Sequence, residues 1–265
     1  LSDENRSQLN VRNEIHATSA ANTQHAFRLY QTHICETLTA SGVTWVAMYR
    51  GKFGREMWAT ELLDDWKIMD SIFPSAADRA AAEARGAYLN GARKGGVDPQ
   101  AVLALKEAGV TRVRRLHEAV AREEWEGHWW CEQLLKEGVG ERMIGTYTLT
   151  PIAESHLLVD RAPGEPPFSE SDADRLYELL CDFPRIHHAL MLERGLAAPA
   201  QRPFSPRERE VVQHLLGPMR EAEIADSLGL SKGATHNYII EIYRVLQVSG
   251  RLEMMQLWLG EIPRA

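Results

Sequence analysis

Apolar residues recur along this chain with two periods, and the changes of period mark its elements. Phe27, Tyr30, Ile34 and Leu38 fall at helical spacing and predict a helix over about residues 22–40. Residues 43–49 are β-rich, and residues 55–60 are expected to pair with them across residues 51–54. An Ala-rich stretch, residues 75–88, reads as helix, residues 90–98 as a Gly-rich loop, and residues 99–135 as helix in two or three pieces. Residues 142–150 and 155–160 read as an antiparallel pair, since Met143, Tyr147 and Leu149 alternate with Ile144, Thr146 and Thr148. After the loop 162–167, Ser169 and Asp172 form an acidic capping box. The next helix carries Leu176, Leu179, Leu180, Phe183, Ile186 and Leu190 on one stripe, and Pro184 should kink or divide it. Helices around a small antiparallel sheet make this region α+β.

The pattern is interrupted at residues 195–203, Gly-Leu-Ala-Ala-Pro-Ala-Gln-Arg-Pro, which read as a short linker. The expected organisation is a sensor and dimerisation domain over 1–194, the linker, and an all-α domain of four helices over 204–265. Ser205-Pro206-Arg207-Glu208 is a helix start: a hydroxyl cap, Pro at the first position, Glu three residues on. Val211, Val212, Leu215 and Leu216 give that helix a buried face, and Gly217-Pro218 ends it. A second helix over 221–228 offers Ile224, Ala225 and Leu228. Gly229-Leu230-Ser231 is a tight turn ending in a new cap, and a third helix over 232–246 buries Ala234, Ile239, Ile242 and Leu246. A fourth, from about 251 to 259, is expected to be amphipathic through Leu252, Met255 and Leu259. Helix, short turn with Gly, then longer helix is the helix-turn-helix pattern.

Pro206-Arg207-Glu208, Glu210-Val211, Glu223-Ile224-Ala225, Leu228, Ser231, Asn237, Leu246, Val248 and Arg251 occur in order over about 50 residues. This segment resembles the LuxR-type (GerE-like) DNA-binding domain. The family usually has Thr-Val-Lys where this chain has Ala234-Thr235-His236, a Lys or Arg where it has Gly233, and a basic residue where it has Val245. Each missing cation removes a phosphate contact and lowers non-specific affinity. The resemblance implies a DNA face of Lys232, Thr235, His236, Asn237, Arg244 and Arg251. Asn reads adenine, and Lys or Arg holds phosphate or guanine. The segment 141–190 in turn resembles the last strands, loop and long helix of GAF- or PAS-like sensor regions.

Composition narrows the class. The chain is 265 residues long, 44% hydrophobic and 25% charged, with a net charge of −7. Residues 201–265 carry eight Lys/Arg and eight Asp/Glu, so the excess acidity belongs to the first 200 residues. No stretch approaches the roughly 18 apolar residues of a membrane span, and residues 1–10 lack a signal-peptide layout. Three scattered cysteines suit a reducing cytoplasm. No nucleophile elbow, phosphate loop, paired-acid signature or completed zinc spacing is present, so neither enzyme activity, a metal nor a cofactor is expected.

Six of the seven tryptophans lie between residues 45 and 130. Trp45, Tyr49, Trp58, Trp66 and Tyr147 are the candidate lining of a ligand pocket, against the plainer expectation that they are core. His187-His188 are expected to be partly exposed polar residues. The whole reads as a cytoplasmic transcriptional regulator whose partners are double-stranded DNA at a palindromic site, a second copy of itself and a small-molecule signal, with RNA polymerase a candidate partner and no membrane. The alternative is a ligand- or protein-binding module whose helix-turn-helix has lost DNA binding and serves dimerisation.

Overall fold

The computed structural model describes residues 11–15, 22–51, 60, 61, 64–75, 80, 98–125 and 127–259. In chain order its elements are α1 (Thr23–Leu38), β1 (Gly42–Arg50), β2 (Thr60–Glu61), β3 (Trp66–Ile72), α2 (Pro99–Lys106), β4 (Arg112–Arg115), α3 (Leu116–Ala119), α4 (Arg122–Trp125) and α5 (Trp129–Lys136). They continue with β5 (Glu141–Thr150), β6 (Ala153–Arg161), α6 (Glu170–Asp182), α7 (Pro184–Leu192), α8 (Pro206–Leu216), α9 (Glu221–Leu228), α10 (Lys232–Leu246) and α11 (Arg251–Leu259). The chain divides into two units, Gln31–Asp182 and Leu1–Tyr30 with Phe183–Ala265.

In the first unit the six strands form one antiparallel sheet in the order β2-β3-β1-β6-β5-β4. Register places Trp45 opposite Leu157 and Leu157 opposite Gly145. Alternation then puts Trp45, Tyr49, Ser155 and Tyr147 on one face. The α6 helix packs there. A Cβ on Gly145 would lie 2.9 Å from Cδ2 of Leu176 and 3.2 Å from Cδ1 of Leu180, so the strand is bare where the helix passes. On the other face Val46, Met48 and Trp66 pack with Leu105 of α2, flanked by Ile68, Ala108 and Leu158.

That second face also carries a buried charge cluster. The fully buried carboxylate of Glu154 accepts from Arg112 at 2.9 and 3.0 Å, from the Gly109 amide at 2.8 Å and from Thr148 Oγ1 at 3.1 Å, and lies 3.0 Å from Nε2 of His156. Burial alone would raise its pKa, but bonds from His156 and Arg112 outweigh it and bring the group down to about 2. Burial pushes the His156 imidazole down. A third cluster, Leu116, Trp130, Leu134 and Val139 with Trp125 and Trp129 against it, accounts for three of the tryptophans as packing.

Two strands depart from the sequence expectation. β4 interrupts the stretch expected to be helical: its Arg112 is buried, and the charge is paired with Glu154 from β6 at 2.9 Å. β3 pairs with β1, and a register shift between Ala47 and Met48 breaks its alternation of apolar positions. Of the strand expected over 55–60 only Thr60 is described, and it pairs with Ile68 of β3 rather than with β1. Apart from Ser75 and Ala80, the helix expected over 75–88 lies outside the described residues, as does the loop over 90–98 apart from Asp98.

The stripe is divided as expected: α6 stops at Asp182, where the first unit ends, and Pro184 opens α7 in the second, with Phe183, Ile186 and Leu190 buried. His187 is not partly exposed as expected but fully buried, its ring edge-on to Tyr30 at 5.8 Å between centroids, and burial pushes its pKa down to about 3. The segment 195–203 is hydrogen-bonded within this unit. The Phe204 amide donates to the Arg194 carbonyl at 2.8 Å and the Gln201 amide to that of Val245 at 3.0 Å. Gly195 turns the chain at φ +68°, where a Cβ would lie 2.5 Å from the carbonyl oxygen of Arg202. The stripe expected on the last helix is corrected. Leu252 and Leu259 are 75% and 56% exposed, and Met254 and Trp258, one turn apart, face the core instead. Among the described residues no helix is long and apolar enough to cross a membrane.

Candidate nucleic-acid interface

The caps read from the sequence place three helices in sequence. Ser205 Oγ accepts from the Glu208 amide at 3.2 Å and Glu208 accepts from the Ser205 amide at 2.7 Å, closing a capping box at the start of α8. Arg202 donates to both oxygens of that carboxylate, at 3.0 and 2.7 Å, and to Glu241 of α10 at 2.7 Å. α9 ends at Gly229 in the left-handed conformation, φ +62°, with the Leu230 amide on the Ala225 carbonyl at 2.9 Å. Ser231 Oγ then accepts from the Ala234 amide at 3.1 Å, and α10 begins.

The two sides of α10 differ in burial. Thr235, Ile239, Ile242 and Leu246 form its buried stripe, and α10 lies against α8 and α9, whose Val211, Val212, Leu215, Ile224 and Ala225 are also buried. Gly233, Asn237, Ile240 and Arg244 repeat the same spacing half a turn away and are exposed. Lys232 and His236 are exposed on its flank, with Nδ1 of His236 3.2 Å from Oε1 of Glu221.

Four of the six residues expected at the DNA face, Lys232, His236, Asn237 and Arg244, therefore point outward. Two do not. Thr235 is fully buried and donates its hydroxyl to the Ser231 carbonyl at 3.2 Å, which corrects its expected outward orientation. Arg251 is corrected from phosphate contact to helix cap: its guanidinium donates to the carbonyls of Leu215 at 2.8 Å, Met219 at 2.5 Å and His214 at 3.4 Å, and to that of Gly217. Arg244 is 70% exposed and bonds Glu241 at 2.7 and 2.9 Å. Bonds from Arg244 and Arg202 hold the Glu241 carboxyl at about 2. Water screens an exposed pair of this kind, so it contributes little to stability. The sequence reading missed Ile240, 52% exposed, whose signal was its phase: three residues after Asn237 and four before Arg244.

Of the aromatic residues expected to line a pocket, Trp45, Tyr49 and Tyr147 share one face of the sheet and Trp66 does not. Trp45 is fully buried, donates from Nε1 to Ser155 Oγ at 2.7 Å, and shares its face with the half-buried Tyr49 and Tyr147. Trp66 is buried in the apolar cluster of the opposite face, and Trp58 lies outside the described residues. Burial raises the pKa of both tyrosines. One cleft of about 250 Å³ in this unit is lined by Arg115, His117, Glu118, Arg122, Glu141 and Phe168, none of them among the expected residues. Among the described residues no three His, Cys, Asp or Glu side chains are grouped to hold a metal ion.

A capped helix, a turn through a left-handed glycine and a longer helix with one stripe in the core and one open to solvent define a helix-turn-helix domain. Residues 202–258 match the family described as bacterial regulatory proteins, luxR family, and this segment belongs to it. No curated protein sequence matches the chain. Among solved structures it is similar to SdiA in complex with octanoyl-rac-glycerol, at 15% identity and a TM-score of 0.45, over 100% of this chain and 99% of that one. It is also similar to Escherichia coli SdiA, at 14% identity and a TM-score of 0.41, over 96% and 98% of the two chains.

Proposed function

We propose that the protein is a transcriptional regulator in which residues 204–265 bind double-stranded DNA with sequence preference and residues 1–194 respond to a small-molecule signal, joined through 195–203. The observation that carries the DNA reading is the exposed side of α10. Asn237 and Arg244 stand there with Lys232 and His236 beside them, on a helix whose opposite stripe fixes its orientation. Asn237 addresses base edges; Lys232 and Arg244 hold phosphates. The protein acts as a homodimer, and Leu252 and Leu259, exposed on α11, supply apolar surface for the partner copy. The sensor reading is supported by a sheet covered by helices on both faces, with Tyr49 and Tyr147 half-buried on the face of Trp45.

An electrophoretic shift against fragments of the source genome tests the DNA reading. A discrete subset of fragments retarded near physiological salt is the expected result. Retardation of none, or of all alike, contradicts it. Native mass spectrometry of protein purified from its source tests the sensor: a small molecule retained on the folded chain is expected, and a chain of bare mass in every preparation counts against it.

A further inference from the structure

The chemistry of the outward side of α10 is mixed. Asn237 hydrogen-bonds and Arg244 carries charge, but Ile240, between them, can do neither and is nevertheless 52% exposed. Its neighbours Ile239 and Ile242 are buried at 6% and 0%, so burial in this chain's own core does not explain it. A single exposed isoleucine on an arbitrary surface needs no explanation. This one lies on the side of the helix opposite the buried stripe, in line with Gly233, Asn237 and Arg244, where a groove-bound helix is nearest the base edges.

We infer that Ile240 is a specificity-determining residue that packs on the C5-methyl group of a thymine in the major groove. This rests on the DNA reading above and deepens it. The thymine methyl is the apolar group that the four bases present on that edge, and an aliphatic side chain recognises it by excluding water. Spacing assigns it a place. Ile240 lies about 4.5 Å beyond Asn237 along the helix axis, at about 1.5 Å per residue. Successive base pairs are about 3.4 Å apart. Asn237 and Ile240 therefore address neighbouring pairs, an adenine read by hydrogen bonds and next to it a thymine read by its methyl. Gly233, one turn before Asn237, has nothing within 4 Å of where its Cβ would be, so the first turn presents no bulk that would hold the helix away from the bases.

The test uses the full chain and duplexes selected from a random-sequence pool for tight binding. Each thymine is replaced in turn by uracil, which removes the methyl and leaves the pairing edge intact. With the wild-type protein, one thymine per half-site should lose about threefold to tenfold in affinity as uracil, the effect of one or two methyl-sized contacts. Ile240→Ala should lose the same factor on the thymine duplex and be indifferent to uracil at that position, while Asn237→Ala keeps the uracil effect. A wild-type protein that binds selected duplexes with no uracil sensitivity overturns the inference and leaves DNA binding intact. Retained sensitivity in a folded Ile240→Ala assigns the methyl contact to another residue and also overturns it. If the pool yields no preferred sequence, the DNA reading itself fails and this inference with it.

Discussion

Arg251 donates from Nε to the carbonyl oxygen of Leu215 at 2.8 Å, joining positions 36 residues apart. Its two Nη atoms reach the carbonyls of Met219, Gly217 and His214, so one guanidinium gathers carbonyl acceptors from the end of α8 and the turn that follows it. Arg251→Ala should therefore destabilise this unit by about 1–3 kcal/mol, the usual effect of lost charged hydrogen bonds, with an unchanged salt slope for the folded fraction. Arg244→Ala should do the opposite, leaving the melt in place and flattening the slope of log affinity against log salt by about one unit. Thermal melts and fluorescence anisotropy at several salt concentrations check both. A stable Arg251→Ala protein with a flattened slope would reverse the assignment.

His187 makes stability depend on pH in a stated direction. In the unfolded chain it takes a proton below about 6.5, whereas the buried ring stays neutral down to about 3. The unfolded state binds more protons in that window, so stability falls as pH drops from about 6.5 towards 3. At about 1.4 kcal/mol per pH unit, roughly 2 kcal/mol is lost by pH 5. Urea titrations at pH 7.5 and pH 5 should show His187→Leu losing about that much less than wild type. His156 and His188, also pushed down by burial, leave a residual dependence in the variant. Equal pH dependence in the two proteins would contradict the account.

Glu154 should be the most sensitive charge in the sheet unit. Glu154→Gln leaves the Arg112 guanidinium buried without a counter-charge, which destabilises by about 3–5 kcal/mol. Replacing Glu154 and Arg112 together by Leu should cost less than Glu154→Gln alone. Denaturant midpoints of the single and double variants decide it, and a double variant weaker than the single would show that the pair itself holds the sheet.

What the sequence made legible follows from what is local. Ser205, Gly229 and Ser231 announce helix ends through their own backbone neighbours, and α8, α9 and α10 start and stop where those residues say. Pro184 divides α6 from α7 for an equally local reason. The errors are long-range. Arg112 looks like a surface helix residue until Glu154, 42 positions later, is brought beside it. Arg251 looks like a phosphate ligand until the end of α8 arrives. The resemblance puts Thr235 on the DNA face, whereas the phase set by Ile239 and Ile242, already legible as buried positions, carries Thr235 into the buried stripe. Trp45 and Trp66 were grouped by residue type, but register places them on opposite faces of the sheet.

Gly233 offers a gain of function. Its position is exposed with no atom within 4 Å of a built Cβ, so Gly233→Arg is accommodated without displacement and replaces glycine by a better helix former. Non-specific affinity should rise and the salt slope steepen by about one unit, with discrimination between sites reduced. Binding to a random duplex at two salt concentrations measures both. An unchanged slope would place Gly233 away from the phosphates.

The central claim is that the exposed side of α10 reads sequence. The direct measurement is the affinity ratio of a selected duplex to its scrambled counterpart at fixed salt, for the wild type and for Asn237→Ala. The account predicts a selected-duplex loss of about 1–3 kcal/mol for the variant, with binding to the scrambled duplex unchanged, so that the ratio collapses. An unaltered ratio in a folded Asn237→Ala protein would contradict it.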